Sequence, residues 1–354
     1  MATGCVGSAT STPPSSSNDG VLKGVVCPPS PAPQLFTNAI CLCDDFADVG
    51  AALVAHGSTG APASVGVNGH SLVVGADQID GDFVSAAGVS GTGSLDVGGN
   101  LATTGDMTGV GKLDVGGDLS VGGNLTGIGA LSVAGTMRVA GQSFTLGARD
   151  VHATGPSVAP AAPPCACDGS TFRDVAAKVA AAKTQNDNAK QSLPTSIAGI
   201  GASSITLPTG SYYFTDVENI GATRFVIDGI VALYLDGSLA QVGAEQLQLS
   251  AGAQLDLYVA GSVASVGALS VSGDPSAVRL YVGGAGAAVL SVGVEELDGA
   301  IYAPTAEIAF VGAAKIHGAV FGKSLAAVGL LDVDYVAPTA PPANQCTPTG
   351  SAGG

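Results

Sequence analysis

The sequence predicts an all-β protein, a parallel β-helix solenoid in two sections with one short amphipathic helix between them. Three observations support this prediction. Glycine recurs every six residues over one stretch, an 18-residue repeat is superimposed on that period, and a related glycine phrase recurs at wider intervals further along the chain. A fixed period of this kind is the signature of a repeat architecture, in which each unit packs only against its neighbours.

The six-residue unit reads Leu-x-Val-x-Gly-x, and its period-two alternation predicts a short strand with one buried face. The glycine then allows a tight turn at little steric cost. It stands at Gly99, Gly105, Gly111, Gly117, Gly123, Gly129, Gly135, Gly141 and Gly147. The aliphatic residue four positions earlier is predicted to form the core ladder: Leu95, Leu101, Met107, Leu113, Leu119, Leu125, Leu131 and Met137.

The longer repeat sets the size of one coil. LDVGGN at Leu95 returns as LDVGGD at Leu113 and as LSVAGT at Leu131. Three six-residue units per turn predict a triangular cross-section in which Leu95, Leu113 and Leu131 stack as one ladder. Leu101, Leu119 and Met137 would form a second. We expect a right-handed coil, because Leu and Val are both large inward residues, whereas left-handed acyltransferase solenoids pair one large with one small.

Composition agrees with a solenoid and excludes several classes of protein. The chain has 53 glycines in 354 residues, 5% aromatic residues and no Trp, which is unlike an ordinary layered enzyme domain. Its 46% content of hydrophobic residues excludes a disordered polar chain. A net charge of −16 disfavours nucleic acid and anionic membranes as partners. There is no run of 18 apolar residues that could span a membrane.

Five segments follow from these patterns. They are a Ser/Pro-rich stalk over 1–45, the regular β-helix over 46–152, a Pro/Ala linker and helix over 153–197, a second β-helix section over 198–337, and a tail over 338–354. The helix is predicted over 171–192, with Thr171 as N-cap and Phe172, Val175 and Val179 on one apolar face. We expect it to cover an end or a side of the solenoid.

A recurring phrase predicts the second section. It reads aliphatic-x-x-Val/Ile-Gly and occurs at Val217–Gly221, Leu239–Gly243, Val263–Gly267, Val289–Gly293, Ile308–Gly312 and Leu325–Gly329. The first section contains the same phrase at Met107–Gly111 and Leu125–Gly129. We therefore predict the same kind of coil in both sections, with longer corners in the second.

The cysteines indicate an oxidising compartment. Cys41-x-Cys43 and Cys165-x-Cys167 stand just outside the two coils, with Cys27 and Cys346 further out. Zinc sites usually space their cysteines by two to four residues. Six cysteines in Pro-rich borders therefore favour three disulfides, with 15 pairings open and a metal site or free thiols as the alternatives.

The seventh cysteine, Cys5, follows Ala2-Thr3-Gly4. This end of the chain resembles a bacterial lipobox, which predicts lipid attachment at Cys5.

Signals for catalysis are few, and no catalytic residue, cofactor or metal site is predicted. His56, His70, His152 and His317 are scattered. The acidic segment Asp77–Asp82 could bind Ca²⁺ through oxygen ligands, but it lacks the Glu that closes an EF-hand, so a solvated turn is expected. Asp96, Asp114 and Asp118 are expected to face outward. Polysaccharide lyases need clustered Asp beside Arg or Lys, and the 12 basic residues are dispersed.

Two resemblances extend this interpretation. The six-residue run resembles bactofilins, the polymer-forming bacterial β-helix proteins. Residues 297–329, with their GAIYAP and GAVFGK phrases, resemble a β-helical surface domain of pilus-associated and exported bacterial proteins. Both imply a structural protein. Bactofilins are cytosolic and lack this Cys and Pro/Ser framework, so the resemblance does not extend to a cytoskeletal role.

The sequence therefore predicts a non-enzymatic structural protein, secreted or on the bacterial cell surface, with copies of itself as partners. Filaments would form by stacking of coils, since no helix follows the terminal rung at Leu331–Val336 to cover it. The alternatives are a monomeric adhesin that binds glycans or other surface proteins through one flat face, and a polysaccharide-degrading enzyme.

Overall fold

The fold is a parallel β-helix, described by a computed structural model over residues 36–57, 60–156, 162–284, 286 and 288–339. The first section contains β1 Ile40–Leu42, β2 Phe46–His56, β3 Val65–Val67, β4 His70–Ile79, β5 Phe83–Ser85, β6 Gly88–Val97, β7 Leu101–Thr103, β8 Met107–Thr108, β9 Lys112–Val115, β10 Leu119–Val121, β11 Leu125–Ile128, β12 Ala130–Val139, β13 Ser143–Thr145 and β14 Arg149–Thr154.

One helix, α1 Val175–Ala182, precedes the second section. That section contains β15 Ile197–Phe214, β16 Val217–Leu235, β17 Leu239–Leu249, β18 Gln254–Val259, β19 Val263–Ser272, β20 Val278–Val282, β21 Ala288–Asp298, β22 Ala300–Gly318 and β23 Val320–Tyr335. Short 3₁₀ turns lie at Gly169–Thr171, Asn188–Gln191 and Pro275–Ala277. The predicted all-β solenoid in two sections is thus confirmed.

The 18-residue repeat appears as strand register. Leu95 pairs with Leu113 and Leu113 with Leu131, and Leu119 lies between Leu101 and Met137. Met107 pairs with Leu125. All eight aliphatic residues are at most 5% exposed. Like residues at one register position therefore pack against each other from coil to coil in the interior.

The order in which the coils stack differs from their order in the sequence. β23, the last strand, pairs with β1 and β2 at the start of the first section. The rod therefore runs from β15 to β23 and continues from β1 to β14. The expectation that the rung at Leu331–Val336 is uncovered is wrong, because Leu331 pairs with Ala52 and Val333 with Val54.

This order requires the chain to return along the rod between the sections. Residues 162–196, here called the strap, cover one side of the second section. Phe172 packs against Phe321, the Arg173 N–H donates to the Tyr302 hydroxyl, and Asn188 bonds to Tyr213 on β15. The prediction that the helix covers a side of the solenoid is consistent with this path.

The helix itself is shorter than predicted. Its N-cap is Asp174, whose carboxylate accepts the Ala177 N–H, while Thr171 belongs to the preceding 3₁₀ turn. The Asn186 side chain donates to the carbonyls of Ala182 and Lys183 just after the last turn. Asp174 thus starts the helix three residues later than the predicted cap, Thr171, and Asn186 ends it by bonding to its last carbonyls. The helix is therefore limited to eight residues. No described helix is long and apolar enough to cross a membrane.

Two disulfides attach the strap to the first coil. Cys41 bonds to Cys165 and Cys43 to Cys167, each pair with a sequence separation of 124. The whole first section therefore lies within the loop that these bonds close. Cys5, Cys27 and Cys346 lie outside the described residues, as do most of the predicted stalk and the tail beyond Thr339.

Candidate interaction surface

The glycine phrase of the second section places one valine per rung on the outside of the rod. These valines stand in register on consecutive rungs and are between 38% and 52% exposed. In stacking order they are Val242, Val266, Val292, Val311, Val328 and Val49.

Apolar residues flank this valine column, two positions away on each side. The residues before the valines are Ala240, Ala264, Leu290, Ala309, Ala326 and Ala47, and those after include Ala244, Val294, Ala313, Leu330 and Ala51. Leu72, Val74 and Ala76 on β4 continue the three columns by one rung. We call this surface the apolar stripe. None of these residues is buried, and none carries a charge.

The glycine after each valine sets the backbone conformation. Gly243, Gly267, Gly293, Gly312, Gly329 and Gly50 all have φ between +122° and +147°. A Cβ at Gly50 would overlap the carbonyl oxygen of Gly329 on the neighbouring rung. Only glycine allows this conformation and this close approach, so the rungs stay in register along the whole stripe.

The same phrase has the opposite orientation in the first section. Val110 and Ile128, at the equivalent position of the phrase, are at most 1% exposed. There the residue before the aliphatic one is Gly109 or Gly127, with φ of +78° or +72°. Moving the left-handed residue two positions earlier turns the aliphatic side chain inward. The apolar stripe itself ends at β4, because Ser90, Thr92 and Ser94 on β6 pair with Leu72, Val74 and Ala76.

A second outward column is aromatic, and the strap covers it. Tyr234, Tyr258, Tyr281, Tyr302 and Phe321 follow one another at centroid distances of 5.0, 4.5, 5.9 and 5.6 Å. The Arg173 guanidinium lies 5.5 Å from the Tyr281 ring centre, and the Lys178 ammonium lies 5.3 Å from that of Tyr258. Burial raises the pKa of Tyr258 well above its usual range. The rings from Tyr258 to Phe321 are therefore inaccessible to a ligand, and that of Tyr234 is half-buried.

Both ends of the rod carry polar groups. On the last coil of the first section, Ser143 pairs with Leu125, and Arg149 pairs with Leu131. Polar residues thus replace aliphatic ones where the core would face solvent, as in the capping repeats of other solenoids. At the other end, Asn188 accepts the Tyr213 N–H at 2.9 Å and donates to the Tyr213 carbonyl at 2.6 Å.

Two carboxyl groups are sealed inside the rod where the sections meet. Asp48 is fully buried; burial, and next the charge of Asp77, raise its pKa to about 8. Asp77 is also buried, which raises its pKa, and it accepts the Ala52 N–H at 3.1 Å. The expectation of a solvated turn over Asp77–Asp82 is therefore wrong at Asp77.

Several of the remaining polar residues singled out in the sequence have defined neighbours in the structure. Asp118 accepts the Thr136 N–H and pairs with Arg138 at 2.7 Å, and Asp96 pairs in register with Asp114. His317 lies between Asp298 and Asp334, at 2.7 and 3.2 Å. Among the described residues, no three His, Cys, Asp or Glu side chains are placed to hold a metal ion.

Sequence reasoning found the phrase that builds the apolar stripe but not the side of the rod on which its valines lie. The available signal is the residue before the valine. It is Gly before the buried Val110 and Ile128, and Gln, Ser, Phe, Ala or Asp before the six outward valines. The stripe is an exposed feature that runs along the second section and onto β2 and β4 at the start of the first.

A family model and a solved structure are similar to this chain. A family model described as "Domain of unknown function (DUF7305)" matches residues 165–339, which comprise most of the strap and the second section. No curated protein matches the sequence. Among solved structures, an ice binding protein from an Antarctic bacterium Flavobacteriaceae is similar at 12% identity. The match covers 86% of this chain and 98% of that chain with a TM-score of 0.18, which supports no inference about function.

Proposed function

We propose that this protein is a non-enzymatic structural protein of the bacterial cell surface or extracellular matrix, and that it associates with copies of itself. The observation that supports this most directly is the apolar stripe, an uncharged surface running along a rod whose other apolar column is already covered. Exposed apolar surfaces of this extent on soluble proteins mark sites of association.

The disulfides support export. Cys41–Cys165 and Cys43–Cys167 would be reduced in a cytosolic glutathione pool, whereas they persist outside the cytoplasm. We further propose that Cys27 and Cys346 are oxidised as well and that a lipid on Cys5 anchors the rod to the membrane surface.

Side-by-side contact fits the rod better than stacking of its ends. Stacking another coil on β14 would bury the Arg149 guanidinium at a position that the interior fills with leucine. Burying an unpaired charge costs several kcal/mol. At the other end, the strap already occupies part of the free edge of β15 through Asp187 and Asn188.

The two alternative functions have less support. A glycan-binding face usually offers aromatic rings, and among the described residues the large aromatic side chain that is exposed is Phe144. An enzyme of polysaccharide degradation needs accessible carboxyl groups. Asp48 and Asp77 have the raised pKa that such chemistry uses, but the interior of the rod separates both from any substrate.

The test is thiol titration and sedimentation of protein purified from an oxidising compartment. We expect no free thiol at Cys41, Cys43, Cys165 or Cys167, and a weight-average mass that rises over an about hundredfold concentration range. Readily alkylated thiols at these four positions would exclude export. A strictly monomeric profile would favour the adhesin instead.

A further inference from the structure

We infer that the apolar stripe is the contact surface between two copies of this chain. This inference rests on the proposed self-association and assigns it to named residues. The stripe has no covering segment among the described residues, whereas the aromatic column lies beneath the strap.

The size of the stripe matches a weak dimer. With the width of the edge residues included, seven rungs spaced by ~4.8 Å extend over ~34 Å and three outward columns spaced by ~6.6 Å span ~20 Å, so the stripe covers on the order of 600 Å². Two copies in contact would bury about 1,200 Å² in total, the lower limit of specific protein interfaces. We therefore expect association in the micromolar range rather than a permanent dimer.

The regularity of the stripe favours a second copy over an unrelated partner. Both faces of such a contact carry the same rung spacing, so valines of one copy can pack between those of the other along the whole length. Val and Ala also have few rotamers to lose, which keeps the entropic cost of the contact low.

The charges around the stripe determine how association responds to salt. The outward residues four positions after Val292, Val311 and Val328 are Glu296, Lys315 and Asp332. On the opposite rim are the acidic residues Glu307 and Asp45. Two copies with a net charge of −16 each repel one another, and this repulsion is screened by salt, whereas the apolar contact is not. Association should therefore strengthen as salt is added.

The test compares two double variants with the same change in charge. Val311→Lys with Val328→Lys places two ammonium groups on adjacent rungs of the stripe. The control, Gln248→Lys with Ser272→Lys, alters two exposed residues that are in register on adjacent rungs outside the stripe. We expect the stripe variant to raise the dissociation constant in sedimentation equilibrium by at least about tenfold. The control should behave like the wild type. Circular dichroism verifies that both variants remain folded.

A cross-linking experiment provides a readout that does not depend on charge. Val311→Cys should form a covalent dimer with a short bismaleimide, and Ser272→Cys should not. Any reaction at Cys5 is common to both variants and is subtracted. Equal association of both lysine variants, or equal cross-linking of both cysteine variants, would place the contact elsewhere and leave self-association intact. Absence of association in the wild type would overturn both proposals.

Discussion

The two sections of the rod share an interior and differ in their outer surfaces. In the first section, short strands meet at corners where side chains replace part of the backbone ladder. Asp82 accepts the Asn100 N–H at 2.7 Å, Asn100 accepts that of Asp118 at 2.9 Å, and Asp118 accepts that of Thr136 at 2.8 Å. The second section has strands of up to 19 residues, the covered aromatic column and the uncovered apolar stripe.

The difference indicates that the two sections have separate tasks. The first section is stabilised by side-chain hydrogen bonds at its own corners, and the side chains exposed there are polar. The second depends on the strap on one side and leaves apolar side chains exposed on another. The disulfides link the two sections, because they attach the start of the strap, which covers the second section, to the first coil. The rest of the first section lies in the loop that they close.

The largest expected effect is the unfolding of the first section while the second stays folded. Leu113→Asp places an unpaired charge at a fully buried position and should unfold the first section around it, at a cost of more than about 4 kcal/mol. All seven tyrosines lie in the second section. We therefore expect partial loss of the β signal in circular dichroism with little change in tyrosine fluorescence.

The matched variants are Leu255→Asp and Leu113→Met. Leu255→Asp, in the second section, should change both signals, and Leu113→Met should change neither by much. A wild-type melting curve for Leu113→Asp would mean that the assigned register is wrong.

The next largest effect concerns the disulfides. Closing a loop of this length stabilises the fold by about 4–5 kcal/mol in the chain-entropy model. Once one pair is closed, the other closes only a small ring. Replacing Cys43 and Cys167 by Ser should therefore cost little, whereas replacing all four cysteines should lower the urea midpoint strongly. Chemical denaturation followed by circular dichroism, which detects the strands of both sections, measures both. If the costs of removing each pair alone add up to the cost of removing all four cysteines, the shared-loop explanation is contradicted.

A smaller effect is a pH dependence at the junction of the sections. Because the pKa of Asp48 is raised from its ordinary 3.8 to about 8 in the folded protein, the folded state holds a proton that the unfolded state has released between these values. The free energy of unfolding should therefore fall as the pH rises through this window. Asp48→Asn removes this proton and should flatten the dependence.

The measurement is the urea midpoint at pH 5 and at pH 8. Asp96→Asn, which changes an exposed carboxyl group on the same rod, should retain the wild-type slope. If Asp48→Asn also retains that slope, the Asp48 and Asp77 pair is not the source of the dependence.

The smallest effect is expected at a corner of the first section. Asn100 donates to Asp82 and accepts the Asp118 N–H, so Asn100→Ala removes side-chain hydrogen bonds on both sides of one rung. These bonds are exposed, so we expect a cost of about 1 kcal/mol, visible as a small fall in the melting temperature. Ser132→Ala on an outward strand position supplies the comparison. Equal effects would mean that the corner ladder contributes nothing specific.

The sequence predicts the interior ladder of the rod but not the order in which its two sections stack. The interior ladder through Leu95, Leu113 and Leu131 follows from the period, because a repeat relates each coil to the next one along the chain. The pairing of β23 with β1 and β2 relates residues at opposite ends of the described chain, and no period connects them. The return of the strap and the pairing of four cysteines follow from that stacking order, so they could not be predicted either.

The exposed valines illustrate a second limit. Val110 and Val311 occupy the same position in the same phrase, yet one is buried and the other is 44% exposed. The backbone of the preceding residue decides between these outcomes. The pattern of apolar residues therefore predicts a strand but does not specify the face it turns outward.

The most direct test of the central claim is sedimentation velocity of the wild-type protein at one fixed concentration, in about 0.05 M and about 0.5 M NaCl. If the uncharged stripe joins two strongly acidic rods, the dimer fraction rises at the higher salt concentration. A dimer fraction that falls with salt, or the absence of dimer in both buffers, would contradict association through the stripe.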